Sequence, residues 1–236
     1  MIISKAEHSP THRIPKSLTP AAKRARKHFL TYYAGGFRDD SYLELERSYK
    51  LAAHEKWLDQ LNPKVFRALL KKRKFSEIAD RAVRIESRTN LLFSFEKMAV
   101  RDAVKPPSGA RLFAEGLYEF LHGHGGDRKR FEQWVETVSN LPRRQTRVLT
   151  WPVATVFGFI AQPEKHLFLK PTVTRLAAER YGFPFQYRSR PNWETYSTAL
   201  AFAETVRKDQ AALKPKDMID VQGFIWVQGS DEYPQE

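Results

Sequence analysis

Apolar residues return at three- and four-residue steps through most of the chain, the spacing of a helix that buries one face. Thr19-Pro20 predicts a first helix, with Thr19 as N-cap and Pro20 at the first helical position, running through Tyr33 to a stop at Gly35-Gly36. Tyr42, Leu45, Tyr49, Ala52, Ala53, Trp57 and Leu61 mark a second helix over 40–61, supported by Glu46 and Lys50 as an i,i+4 pair. Asn62-Pro63 caps a third helix, which ends in the basic run Lys71-Lys72-Arg73-Lys74. Ser76 opens another, with Ile78, Ala82 and Ile85 inward. Ser94 precedes a short helix stopped by Pro106-Pro107. Ser108 begins a helix carrying the stripe Leu112, Phe113, Leu117, Phe120 and Leu121. Asp127 is placed to cap the next, with Phe131, Trp134, Val135 and Val138 inward.

The longest apolar run, Val148 to Ala161, has no helical stripe because it is apolar all round. Thr150-Trp151-Pro152 reads as a helix cap with proline at the first helical position and predicts a buried helix to Ala161, although Val148, Val153, Thr155, Val156 and Ile160 would also suit a strand. A short helix follows over 172–181, closed by Gly182, and then an irregular aromatic stretch from Phe183 to Pro191. Asn192 caps a long helix that ends before Pro215, and Asp217 starts a last one in which Met218, Ile219, Val221, Phe224, Ile225 and Trp226 form a broad apolar face. The last residues, Gly229 to Glu236, read as a polar tail. Hairpin turns and alternating runs are scarce. The expected fold is mainly α: a single multi-helix globular domain over 17–236, with an irregular aromatic and basic loop region, preceded by a mobile N-terminal arm at 1–16.

Composition adds compartment. A chain of 236 residues with 42% hydrophobic content buries a substantial core. It contains no cysteine, which excludes disulfides and thiolate metal sites and fits a reducing, cytoplasmic setting. The opening residues lack the apolar segment of a signal peptide, and the 148–161 run is too short to cross a bilayer, so no membrane association is expected. Charge adds direction. The net charge is +13, but residues 1–38 and 143–190 each carry +7 while 191–236 carry −4. Two basic blocks in one chain favour a polyanionic partner.

Catalytic and cofactor templates are absent. His122-Gly123-His124-Gly125-Gly126-Asp127 holds two potential metal ligands and three glycines, but no strand precedes it and it reads as a turn between helices. His54-Glu55 lacks the second histidine of a zinc-protease helix, and there is no G-x-S-x-G. No metal and no cofactor is expected. The residues with the strongest chemical signal are Lys165, His166, Lys170, Arg175, Arg188 and Arg190, interleaved with Tyr187 and Trp193, and the cluster Lys23, Arg24, Arg26 and Lys27 on the first helix. Cations at this density hold phosphates, and Tyr187 or Trp193 can stack on a base.

The segments Y-L-E-L-E-R-S-Y-K-L-A-A-H at 42–54, I-E-S-R-T-N-L-L-F-S-F-E-K-M-A at 85–99, F-L-K-P-T-V-T-R-L-A-A at 168–178, S-R-P-N-W-E-T-Y at 189–196 and D-M-I-D-V-Q-G-F-I-W-V at 217–227 resemble a family of uncharacterised bacterial proteins. The resemblance spans roughly 37–230. It implies a bacterial, cytoplasmic, single-unit fold, and supplies no site residues. Three functional expectations stand. The first is a non-enzymatic nucleic-acid-associated protein. The second is an enzyme acting on an anionic or phosphorylated small molecule in a basic pocket, with His166 or a carboxylate as acid–base group. The third is a protein-interaction module or homodimer using the aromatic surroundings of Trp151 or Trp226.

Overall fold

The structure, a computed structural model, describes residues 18–234; the expected arm at 1–16 lies outside them. Eleven helices follow one another, and no strand occurs among the described residues. They are α1 (Pro20–Tyr32), α2 (Asp40–Tyr42, a π-helical turn Leu43–Arg47, and Ser48–Gln60), α3 (Pro63–Lys71), α4 (Phe75–Glu86), α5 (Ser94–Val104) and α6 (Pro107–His122). The second half supplies α7 (Asp127–Asn140), α8 (Trp151–Ala161), α9 (Pro171–Tyr181), α10 (Trp193–Asp209) and α11 (Met218–Gly229).

Side-chain caps set most of the starts read from the sequence. Thr19 Oγ1 accepts the Ala22 N–H, Asn62 Oδ1 those of Lys64 and Val65, Asn192 Oδ1 that of Thr195, and Asp217 Oδ1 those of Ile219 and Asp220. Each removes an orphan donor and contributes about 1 kcal/mol. Four expected starts differ: Ser76 and Ser108 lie just inside helices that begin at Phe75 and Pro107 with no side-chain cap. Ser94 lies inside α5, whose start is closed instead by Glu96, its carboxylate accepting the Phe93 N–H at 3.1 Å. Asp127 is the first residue of α7 rather than its cap. The segment after α11 is not a loose tail: Ser230 and Tyr233 are buried.

α8 is the axis of the molecule. All eleven of its residues are buried, and α2, α4, α6 and α7 pack around it. Thr150 Oγ1 accepts the Val153 N–H, and Pro152 stands at the second helical position rather than the first. The β-branched residues cost only a few tenths of a kcal/mol each in a helix, whereas burying a Phe157 or Ile160 side chain is worth about 2 kcal/mol, so packing decides. Two polar groups within this core are satisfied: the Trp134 indole donates to Ala154 O at 2.9 Å, and Thr155 Oγ1 accepts the Leu169 N–H at 3.0 Å. α9 and α11 form the tightest helix pair, with α1 and α10 against them. They approach so closely that a Cβ on Gly229 would stand 2.0 Å from Val173 O.

α2 departs from the even stripe expected of it. The π-helical turn adds a residue to one turn and rotates everything before it. Leu45 is thereby turned outward, to 60% exposure, while Glu46, Arg47 and Lys50 are buried. The Glu46–Lys50 pair forms as expected, at 3.1 Å, but inside the protein.

Candidate functional site

The displaced turn of α2 faces the C-terminal end of α11 across a cleft of about 980 Å³. The remaining walls come from the 90–93 loop, Pro152 at the start of α8, and Phe168 to Val173 leading into α9. A cleft of this size, largely apolar with a few convergent polar groups, is the usual form of a small-molecule site. π-helical turns recur at such sites because they re-aim side chains that a regular helix would point elsewhere.

Arg47 fixes the turn. Its guanidinium donates to Asp217 Oδ1 and Oδ2 at 2.9 and 2.7 Å and to Asp220 Oδ1 at 2.7 Å. Tyr42 donates to the same Asp220 oxygen at 3.0 Å, and the Lys216 N–H closes the other Asp220 oxygen at 2.7 Å. Burial raises the Asp217 carboxyl, but the hydrogen bonds and charge of Arg47 outweigh it and hold the group below its ordinary range. Next to it in the chain, Glu46 binds Lys50 through Oε2 and the Tyr233 hydroxyl through Oε1, at 3.1 and 2.8 Å. Tyr233 in turn meets the Tyr33 hydroxyl. The α2 turn, the start of α11 and the 230–234 segment are thus locked to one another by buried polar contacts.

Three groups on the cleft wall have unused capacity. Lys50 is 2% exposed, and Glu46 engages one of its three ammonium protons. Gln222 is 5% exposed, and its buried Oε1 has no partner among the described residues. Lys170 holds its ammonium 4.0 Å from the Phe93 ring centroid and 5.3 Å from that of Trp226, and forms no ion pair among the described residues. Burial lowers its amine from the ordinary lysine value, with Glu96 and Glu232 opposing. Acids are present too. Asp231 and Glu232 are exposed at the mouth, where Glu232 accepts the Trp226 indole N–H at 3.1 Å. Phe93, 53% exposed, and Leu45 extend the apolar wall to the surface.

The residues singled out from the sequence are dispersed by the fold. Only Lys170 enters the cleft. His166 is buried: its Nδ1 lies 3.1 Å from the Tyr196 hydroxyl, its ring packs on Phe120, and the missing side chain of Gly158 makes room for it. Burial, with Arg130 beside it, lowers its pKa to about 4. The space next to it, shared with Asp127, Arg130, Lys165 and Trp193, is about 30 Å³, room for a water or two and too small for a substrate. Trp193 packs on Phe131 and Tyr196, and Tyr187 is half-buried beneath the Arg175 guanidinium at 5.1 Å.

On α1, Lys23, Arg24 and Lys27 are exposed, whereas Arg26 donates to Gln210 and to Asp209 O at 2.8 and 2.6 Å, which makes it structural. Arg188 and Arg190 are exposed on a loop whose backbone is held by Thr195 Oγ1 and the Trp151 indole. Arg190 joins Arg143 and Arg147 around a shallow depression of about 370 Å³. Trp151 is 2% exposed and offers no surface to a second copy of the chain. Trp226 is a cleft residue. The His122–Asp127 turn does what its glycines suggest: Gly123 closes α6 by donating to Glu119 O, and Gly125 adopts a φ of 114°. Among the described residues no three histidines or carboxylates are grouped as for a metal ion, and no helix is long and apolar enough to cross a membrane.

No family model matches the chain, and no curated protein or solved structure matches it either. The site is therefore defined by its own chemistry. Lys50, Glu46 and Gln222 escape sequence reading because i,i+4 charge pairs usually mark a solvated face and the π turn has no sequence signature. One signal was visible: Asp220, Gln222 and Gln228 interrupt an otherwise apolar helix, where buried polar groups need partners.

Proposed function

We propose that the protein binds a small molecule that joins an anionic group to a flat apolar body, in the cleft between α2 and α11. The observation that carries this reading is Lys170, whose unpaired ammonium is held between Phe93 and Trp226 at the mouth of a concave, aromatic-walled site. An anion beside Lys170 would pair with it, while the body of the ligand would lie on Phe168, Leu91 and Tyr49. This keeps the expectation of a site for an anionic small molecule, but moves it from His166 to Lys170. The cysteine-free composition supports a reducing compartment such as the cytoplasm.

Biphenyl carboxylate is a suitable ligand to try. Its titration should quench tryptophan fluorescence with one-site saturation, and Lys170→Glu should weaken it roughly ten-fold or more, about 1.4 kcal/mol. No saturation up to millimolar concentration, or equal affinity in the variant, would refute the reading.

A second reading rests on a separate observation. Arg143, Arg147 and Arg190 surround one depression together with Ser139 and Ser189, an arrangement suited to phosphates. It supports nucleic-acid association through the second basic block, without base stacking by Tyr187 or Trp193. Binding to a single strand that weakens steeply as salt rises would favour it, and affinity insensitive to salt would exclude it.

A further inference from the structure

The same cleft holds a buried amine beside a buried carboxylate, and the two line one wall. We propose that Lys50 is a nucleophile that forms an imine with an aldehyde or ketone carried by the cleft's ligand, an inference that rests on the anionic small-molecule reading above. The geometry supplies each part. Lys50 and Glu46 both line the cleft, Glu46 from within the π-helical turn and Lys50 from the regular helix that follows it. Glu46 Oε2 is 3.1 Å from Lys50 Nζ, and the Tyr233 hydroxyl holds the other oxygen at 2.8 Å, so the carboxylate is oriented toward the amine. Gln222 Oε1 is buried without a partner and can accept a hydroxyl. Burial lowers the Lys50 amine below the ordinary lysine value while Glu46 opposes the shift.

The step balances within the site. The ammonium of Lys50 gives one proton to Glu46, and the freed lone pair attacks the carbonyl carbon. The C–N bond forms as the carbonyl π bond opens onto oxygen, and a proton from nitrogen reaches that oxygen to give a neutral carbinolamine. Glu46 returns its proton to the hydroxyl, which leaves as water while C=N forms, so an ammonium and a carbonyl become an iminium ion and one water. Tyr233 acts as a positioning residue for Glu46.

The test treats the full chain near neutral pH with the para′-formyl derivative of biphenyl carboxylate and cyanoborohydride, which reduces the imine to a stable amine, followed by peptide mapping. Because the cleft would hold the ligand's aldehyde beside Lys50, Lys50 should be labelled at least about ten-fold faster than exposed lysines such as Lys23. Biphenyl carboxylate itself should protect Lys50, and Glu46→Gln should slow its labelling while leaving that of Lys23 unchanged. Labelling spread over exposed lysines with Lys50 unmodified would overturn the proposal. Should biphenyl carboxylate still saturate the cleft in that case, only the nucleophile fails; should it not bind, the ligand reading fails with it. The comparison of Lys50 with Lys23 is read on the unaltered chain, so it does not depend on any variant folding.

Discussion

Arg47 shows how much of this protein rests on single buried charges. It is 5% exposed and holds Asp217 and Asp220 together, two carboxylates that would otherwise repel in a poor solvent. Removing Arg47 leaves the buried Asp220 and the half-buried Asp217 without their counter-charge, so Arg47→Met should cost about 3 kcal/mol or more, read from urea unfolding. A loss under about 1 kcal/mol would mean that water reaches the site and screens the carboxylates. Glu86 acts in the opposite sense. It is 2% exposed, and burial raises its carboxyl from 4.5 to about 7, against the pull of Lys97. Between those values the folded chain keeps a proton that the unfolded chain releases, so stability falls as pH rises across the window, by on the order of 3 kcal/mol in all. Glu86→Gln should flatten that slope in thermal melts between pH 5 and 8; an unchanged slope would assign it to another group.

The elements were largely legible in the sequence because most begin at a side-chain cap and end at glycine or proline, both local signals. Thr19, Asn62, Thr150, Asn192 and Asp217 all cap as read, and Gly182 closes α9 with a φ of 69°. The site was not legible, because it depends on two things no local rule encodes. One is the π turn, which exchanges Leu45 for Glu46 and Arg47 on the inner face of α2. The other is the close approach of α9 and α11, which brings Lys170 to Trp226. That approach depends on Gly229. An alanine there would meet the Val173 backbone, which cannot move as a side-chain tip would, so Gly229→Ala should destabilise by about 2–3 kcal/mol and weaken ligand binding at the cleft. Gly126, with nothing within 4 Å of an added Cβ, is the control and should tolerate alanine without either loss.

At the scale of the whole molecule, charge and concavity point to different places. The second basic block gathers Arg143, Arg147 and Arg190 on an exposed loop surface, while the cleft carries Lys50 and Lys170 among aromatic rings. The two are separable by substitution. Replacing Arg147 and Arg190 by Glu should abolish any salt-sensitive nucleic-acid binding and leave the titration with biphenyl carboxylate unchanged; the reverse pattern is expected of Lys170→Glu. Strong charge in a sequence thus indicates a polyanion more readily than it locates a site, because most exposed cations only solvate a surface. A crystal structure of the protein soaked with biphenyl carboxylate would show whether the α2–α11 cleft receives the anionic end of a small molecule. The rings are expected on the aromatic wall and the carboxylate within about 3 Å of Lys170 Nζ. An empty cleft, or the compound bound instead at Arg143, Arg147 and Arg190, would contradict that reading.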